Sequence, residues 1–159
     1  MLLNGGEKAK IKNIVMAIKG LYPDILKIVN KPKYDKNQNS IDELFDCNKR
    51  VFMWLAHLST TLINSNEVLI QGFDALQESN RFTSVKVGEH KKVELLIKSI
   101  ELIPTIQDEL IKIVDNDNTQ RDRVLKDIMD ELGIENPNKK KKKDKKFSSM
   151  SFDDWFNDD

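Results

Sequence analysis

Residues 40–76 have the sequence SIDELFDCNKRVFMWLAHLSTTLINSNEVLIQGFDAL, the longest continuous pattern in the chain. Apolar residues recur in it at alternating spacings of four and three, which is typical of a helix with one buried face. The seam consists of Leu44, Val51, Leu55, Leu58, Leu62, Leu69 and Leu76, and it is weakened by Asn48, Ser65 and Gly72. Ser40 and Glu43 have the spacing of a capping box. We therefore predict one helix of about 35 residues that begins at Ser40, with a break near Asn64–Asn66 as an alternative.

The same alternation returns at residues 89–114, in Val93, Leu96, Ile100, Ile103, Leu110 and Val114. Pro104 lies inside this pattern, and a proline in a helix interior costs about 3 kcal/mol. Because the pattern keeps its phase across Pro104, we expect a kinked helix rather than a broken one. A loop at residues 80–88, with an extended pair around Phe82–Val87, would join the two long helices into an antiparallel hairpin.

Shorter helical patterns flank the predicted hairpin. Ile11, Ile14 and Ile18 share one face of residues 7–21, where Gly20 is expected to end a helix and Pro23 to start a second piece. After a turn at residues 115–118, Asn118 or Thr119 would cap a last helix that Gly133 stops. The predicted fold class is all-α: an antiparallel hairpin of two long helices with short flanking helices and a disordered C-terminal tail.

Charge and pattern divide the chain into three parts. Residues 1–38 form a basic N-terminal helical segment with eight lysines and three acidic residues, residues 39–135 form the helical hairpin, and residues 136–159 form the tail. Lys8, Lys12 and Lys19 lie opposite the isoleucine face of the first helix. They belong either to a solvated face or to a helix that contacts phosphates through charge alone.

The residue inventory argues against catalysis. His57 and His90 have no recognisable ligand partners, and the single cysteine, Cys47, gives neither a zinc spacing nor an intrachain disulfide. We predict no enzyme activity, no metal and no cofactor. The lone cysteine suits a reducing compartment, no apolar run is long enough to span a membrane, and no signal peptide precedes the helices. The expected location is the cytoplasm, or the host cytoplasm for a viral protein, without a membrane partner.

The tail begins with a run of like charges. The run is interrupted only by Asp144, and its basic residues are Lys139, Lys140, Lys141, Lys142, Lys143, Lys145 and Lys146. Like charges repel one another, which predicts a disordered segment that binds nucleic acid without sequence preference or an acidic surface. The alternatives of a localisation signal and of no binding stay open at this point.

Aromatic residues follow the lysines. The chain has seven Phe, two Trp and two Tyr, and four of these lie in the final thirteen positions. One helical or 3₁₀ turn would place Phe152, Trp155 and Phe156 on one side, as an aromatic plug for an apolar pocket. An inert tail with chance aromatics is the alternative.

The spacing Ser149-x-x-Phe152-x-x-Trp155-Phe156 resembles the sliding-clamp-binding peptide known as a PIP box. That family has Gln where this chain has Ser149 and an aliphatic residue where it has Phe152, and Trp155 is an unusual aromatic. The acidic-hydrophobic end is also similar to the clamp-binding tips of late-transcription proteins of T-even-type phages. These resemblances imply a protein partner that binds Ser149, Phe152, Trp155 and Phe156.

The predicted architecture, a helical hairpin with polar ends, is similar to the small terminase subunits of tailed phages, which form rings. We therefore expect a non-enzymatic adaptor in phage or viral DNA metabolism, in replication, late transcription or packaging, that docks a sliding clamp or another such partner through its tail. The alternative is an oligomeric DNA-binding packaging protein. Both interpretations include self-association or docking through the helical seams. These seams consist of Leu55/Leu58/Leu62/Leu69 and Ile100/Ile103/Leu110.

Overall fold

The computed structural model describes residues 3–32 and 37–133 of the chain. These residues form the helices α1 (Gly5–Val29), α2 (Gln38–Ala56), α3 (Thr60–Asn64), α4 (Glu67–Asn80), α5 (His90–Glu101) and α6 (Ile103–Leu132). No strand occurs among them, so the predicted all-α fold is confirmed and the extended pair around Phe82–Val87 is wrong. The predicted disordered tail at residues 136–159 lies outside the described residues.

The stretch that predicted one long helix is folded back on itself. It leaves the helical conformation between Ala56 and Thr60 and again at Ser65 and Asn66. The alternative of a break near Asn64–Asn66 is therefore confirmed, and the break after Ala56 was not predicted. At both places a polar side chain caps the next helix: Ser59 accepts from the amide of Leu62, and Asn66 from that of Leu69. Serine and asparagine side chains compete with helical backbone bonds in this way.

The rings of Phe52 in α2 and Phe73 in α4 stack with their centroids 5.0 Å apart. Earlier in α2, Asn48 bonds to Ser99 of α5, and so does Ser79 near the end of α4. The two helices therefore run side by side in opposite directions. The seam residues of the helix predicted over residues 40–76 are buried in the bundle. The seam residues of α5 and α6 are buried too, including Ile100, Ile103 and Leu110. The expectation that these seams form a docking surface is therefore wrong, because they form the core of the bundle.

Two helix boundaries differ from the predictions. Pro104 produces a one-residue break at Leu102 instead of a kink. It lies in the first turn of α6, where a backbone N–H has no intrahelical acceptor, so the N–H that proline lacks costs no hydrogen bond. The cap of α2 is Asn37, which accepts from the amide of Ser40, so the predicted capping box at Ser40 is wrong.

Two helices are longer than predicted. The first, α1, runs through Gly20 and Pro23 because its apolar face continues beyond them to Ile25 and Ile28, which are buried. The second, α6, passes through residues 115–118 without a turn, and Thr119 donates a hydrogen bond back to the carbonyl of Asp115 instead of capping a new helix. Tertiary burial outweighs local propensity in α1.

The remaining packing joins α1 and α6 to the hairpin. Close contacts run between α1 and both α2 and α6, while α5 packs on α2 and α4. Gln107 donates to the carbonyl of Val15 at 3.2 Å, and Lys8 donates to Asn118, so α1 and α6 run antiparallel. All these helices contribute to one hydrophobic core, which includes α1.

A glycine fixes the closest approach of α4 to α6. A Cβ added to Gly72 would lie 2.6 Å from Cδ1 and Cγ1 of Ile106, which is a buried side chain. The same addition at Gly20, in the exposed part of α1, meets no atom within 4 Å. The two glycines therefore offer a matched pair of substitutions with opposite expected effects.

We predict that Gly72→Ala lowers the free energy of unfolding by about 1–3 kcal/mol, because Ile106 must leave its packed position. The control, Gly20→Ala, should raise it by about 0.5–1 kcal/mol through helix propensity alone. Urea denaturation followed by circular dichroism measures both. Equal effects of the two substitutions would show that α4 and α6 do not meet at Gly72.

Candidate interaction surface

The residues that the sequence singled out for binding lie outside the described part of the chain. These residues are Ser149, Phe152, Trp155, Phe156 and the lysines between 139 and 146. The structure does describe the helix that leads into this segment. Gly133 ends α6 in the left-handed conformation, with φ of 71° and its amide bonded to the carbonyl of Asp130. The site therefore has to be built from the end of α6.

Asp117 anchors α6 to the start of the chain. Its side chain is buried, and its Oδ1 accepts a hydrogen bond from the amide of Leu3 at 2.7 Å. Its Oδ2 accepts from Nε of Arg121 at 2.8 Å, and the Arg121 guanidinium also donates to the carbonyl of Leu3. Arg121 thus bonds to both sides of the junction, and the segment before α1 is held against α6.

Lys8 completes this cluster from α1. Its ammonium group donates to Oδ1 of Asn118 and lies 3.8 Å from Oδ2 of Asp117. Burial lowers the pKa of Lys8, and the charge of nearby Lys12 lowers it further, against the opposing attraction of Asp117. We call Leu3, Lys8, Asp117, Asn118 and Arg121 the clasp. It is a polar contact between the start of the described chain and the middle of α6.

The N-terminal lysines are therefore not a row of free cations. Lys8 belongs to the clasp, Lys10 donates to the carbonyl of His57 at 3.3 Å, and Lys12 and Lys19 also take part in interactions. The phosphate-contacting alternative for this face gains no support from the arrangement, because Lys8 is already bonded within the bundle.

Beyond the clasp, α6 continues without a cover from the described residues. Its last buried residue is Asp117, and residues 123–132 are exposed apart from the half-buried Met129. We call residues 123–132 the α6 arm; ten helical residues span about 15 Å. The large apolar side chains exposed on it are Val124 (47%), Leu125 (37%), Ile128 (47%) and Leu132 (66%). The sequence predicted a separate last helix here, and it did not indicate that the apolar residues of this helix would be exposed.

A buried polar network lies where α2, α4 and α5 meet. Nδ2 of Asn48 donates to Oγ of Ser99 at 2.7 Å, Ser99 donates to the carbonyl of Leu96, and Oγ of Ser79 lies 3.2 Å from Oγ of Ser99. Oδ1 of Asn48 has no hydrogen-bond partner among the described residues. Such a group favours this alignment of the helix faces, because a shift would leave the amide of Asn48 buried without its partner.

Among the described residues, the cysteine is buried and both histidines are exposed. Cys47 is fully enclosed, and burial raises the pKa of its thiol to about 12, far from the range of a nucleophile. His57 and His90 are exposed at the end of α2 and the start of α5. Within residues 3–32 and 37–133, no group of three or more His, Cys, Asp or Glu could hold a metal ion.

An apolar cleft of about 240 Å³ lies between the end of α2, α3 and α4, and Leu58, Ile63, Ile70 and Phe73 line part of it. Within residues 3–32 and 37–133, no helix combines the length and the apolar character needed to cross a membrane. Comparison of the chain with protein-family models, curated proteins and solved structures found no match.

The clasp predicts a specific loss of stability. Asp117→Ala leaves the Leu3 amide without its acceptor, so we expect the free energy of unfolding to fall by about 1–3 kcal/mol. Asp127→Ala, the same change on the exposed arm, should stay within about 0.5 kcal/mol of the parent chain. Amide hydrogen exchange at Leu3 provides the local readout. Unchanged protection of Leu3 in Asp117→Ala would contradict the clasp.

The buried thiol predicts a pH dependence. The folded chain keeps the Cys47 proton up to about pH 12, while the unfolded chain releases it above the ordinary pKa of 9.0. The contribution of the neutral thiol is therefore complete below pH 9 and is lost as the pH rises toward 12. We expect the stability of the parent chain to fall faster than that of Cys47→Ala in this window, measured by urea denaturation. Parallel curves would show that Cys47 is accessible to water.

Proposed function

We propose that this chain is a non-enzymatic adaptor: a helical bundle that presents a C-terminal aromatic-acidic peptide to a protein partner in phage or viral DNA metabolism. The observation that supports it is the α6 arm, which continues about 15 Å beyond the clasp and leads into the segment that contains Ser149, Phe152, Trp155 and Phe156.

The packing of the bundle supports a role as the carrier of the peptide, with the peptide as the part that binds the partner. The apolar seams of α2, α4, α5 and α6 are used up in the core, so they offer little surface for a partner. The aromatic residues of the C-terminal segment lie beyond the helix end, after Gly133. A rigid helix that starts from a fixed point in the bundle gives this segment a defined origin in space, clear of the bundle surface.

The composition of the segment suggests how it would bind. Phe152, Trp155 and Phe156 have the spacing to fill one apolar pocket on a sliding clamp or a comparable partner. The lysines at residues 139–146 would contact nucleic acid through charge, with a steep dependence on salt. A weak peptide contact becomes effective when a second contact raises its local concentration.

We predict that changing Trp155 and Phe156 together to Ala weakens binding of the full chain to a purified sliding clamp by at least about tenfold, which corresponds to 1.4 kcal/mol. Phe147→Ala is the control, because it removes an aromatic residue outside the proposed set. Isothermal titration calorimetry measures both. Equal loss in the control, or parent-like binding in the double variant, would remove the proposed roles of Trp155 and Phe156.

If the parent chain binds no clamp, the partner is another protein. A comparison of proteins captured from the native host by the full chain and by residues 1–138 then decides the matter. A protein retained only by the full chain supports a tail-dependent adaptor, and the same capture by both forms contradicts it.

The second candidate is an oligomeric DNA-binding packaging protein. The exposed apolar side chains of the α6 arm favour it, because they form a surface suited to self-association. This candidate requires a large ring on size analysis and DNA binding that weakens steeply with salt. Particles no larger than a dimer, or the absence of salt-dependent DNA binding, exclude it.

A further inference from the structure

The apolar side chains of the α6 arm continue the stripe that α6 buries in the bundle. The buried part consists of Ile103, Ile106, Leu110, Val114 and Asp117. Steps of three or four residues then lead to Arg121, Val124, Ile128 and Leu132. Such steps keep one face of a helix. The face that α6 turns toward its neighbours within the bundle is therefore the same face that it exposes beyond the clasp.

The exposed part of this stripe is wide enough to pack against another helix. Leu125 and Met129 lie beside Ile128 at helical spacing, and Met129 is half-buried. Elsewhere on the described surface, large exposed apolar side chains are spread over several helices: Met16 on α1, Met53 on α2 and Leu95 on α5. Isolated residues of this kind are ordinary, whereas four on one short helix face indicate an interaction surface.

The charges of the arm indicate its partner. Residues 123–126 contain Arg123 and Lys126 and no acidic residue, which gives a net charge of +2. Residues 127–132 contain Asp127, Asp130 and Glu131 and no base, which gives −3. A second copy of this helix in the opposite direction would place each basic half beside an acidic half. A parallel copy would place like charges side by side.

The distances allow these charges to interact. Packed helices lie about 8–10 Å apart, which is close to the Debye length of about 10 Å at 0.1 M salt. The shape of the molecule favours the same direction, because each bundle is joined to the arm at the arm's N-terminal end. An antiparallel pair keeps the two bundles at opposite ends, whereas a parallel pair brings them together.

We propose that two copies of this chain associate through their α6 arms, as an antiparallel helix pair with a two-fold axis near Ile128. In this arrangement Ile128 meets its counterpart, and Val124 of one copy meets Leu132 of the other. The interface is small compared with about 800 Å² on each partner in a standard complex, so the association is weak and concentration-dependent. It is independent of any binding by the C-terminal segment.

Sedimentation equilibrium of the full chain, from about 1 µM to 1 mM, tests the pairing across the range of weak association. The parent chain should pass from monomer to dimer, and Ile128→Asp should raise the dissociation constant at least tenfold. Met53→Asp is the matched control, because Met53 is 52% exposed on α2, away from the arm. A chain that stays monomeric, a particle larger than a dimer, or an equal loss in the control overturns the proposal.

Disulfide formation tests the direction of the pair. Val124→Cys and Leu132→Cys should each form few crosslinked dimers alone and many when mixed, because these positions meet only between antiparallel copies. The native Cys47 is buried and does not compete. Efficient crosslinking of Val124→Cys with itself overturns the antiparallel arrangement. Circular dichroism of each variant confirms that the bundle is folded before the result is used.

Discussion

The bundle depends on the reversal of the chain between α2 and α4. A straight helix over residues 40–76 would be about 55 Å long, while a domain of about 130 residues has a radius of gyration of about 14 Å. Such a helix would extend far beyond its own domain and leave much of its apolar face in water. The reversal between Ala56 and Glu67 halves that length, stacks Phe52 on Phe73 and creates the surface on which α5 packs. The rest of the core is arranged around this hairpin.

The sequence predicted which residues would be buried better than it predicted how they would meet. Seam positions such as Leu55 and Ile100 are in the core, because the period of the pattern reports burial irrespective of topology. The reversal at Ser59 and Asn66 depends on two side-chain caps. The weakened pattern allowed a break near Asn66 as an alternative, whereas Ser59 leaves the apolar pattern uninterrupted and so gave no sign of the turn. Pro104 shows the same limit: it fits a kink and a helix start equally well, and packing decides between them.

The candidate surface was less predictable than the fold. The clasp joins Leu3 to Asp117 and Arg121 across more than a hundred residues, and no local pattern indicates such a pairing. The exposed arm could not be identified from periodicity, since Val124 and Ile128 have the same spacing as buried residues. One signal did exist. Asp117 occupies a position on the buried face of α6, and Arg121 follows four residues later. This polar pair marks the point where the buried part of the helix ends.

The clasp also has a mechanical consequence. Force applied at Gly133 along the axis of α6 would first meet the bonds of Asp117 and Arg121 to Leu3. Because α1 lies antiparallel to α6, this load would act on the two helices in shear, which distributes it over several contacts at once. Resistance to pulling is governed by the rate of unfolding and not by stability alone. A bundle tethered through the end of α6 would thus withstand tension best along the direction in which that helix leaves it.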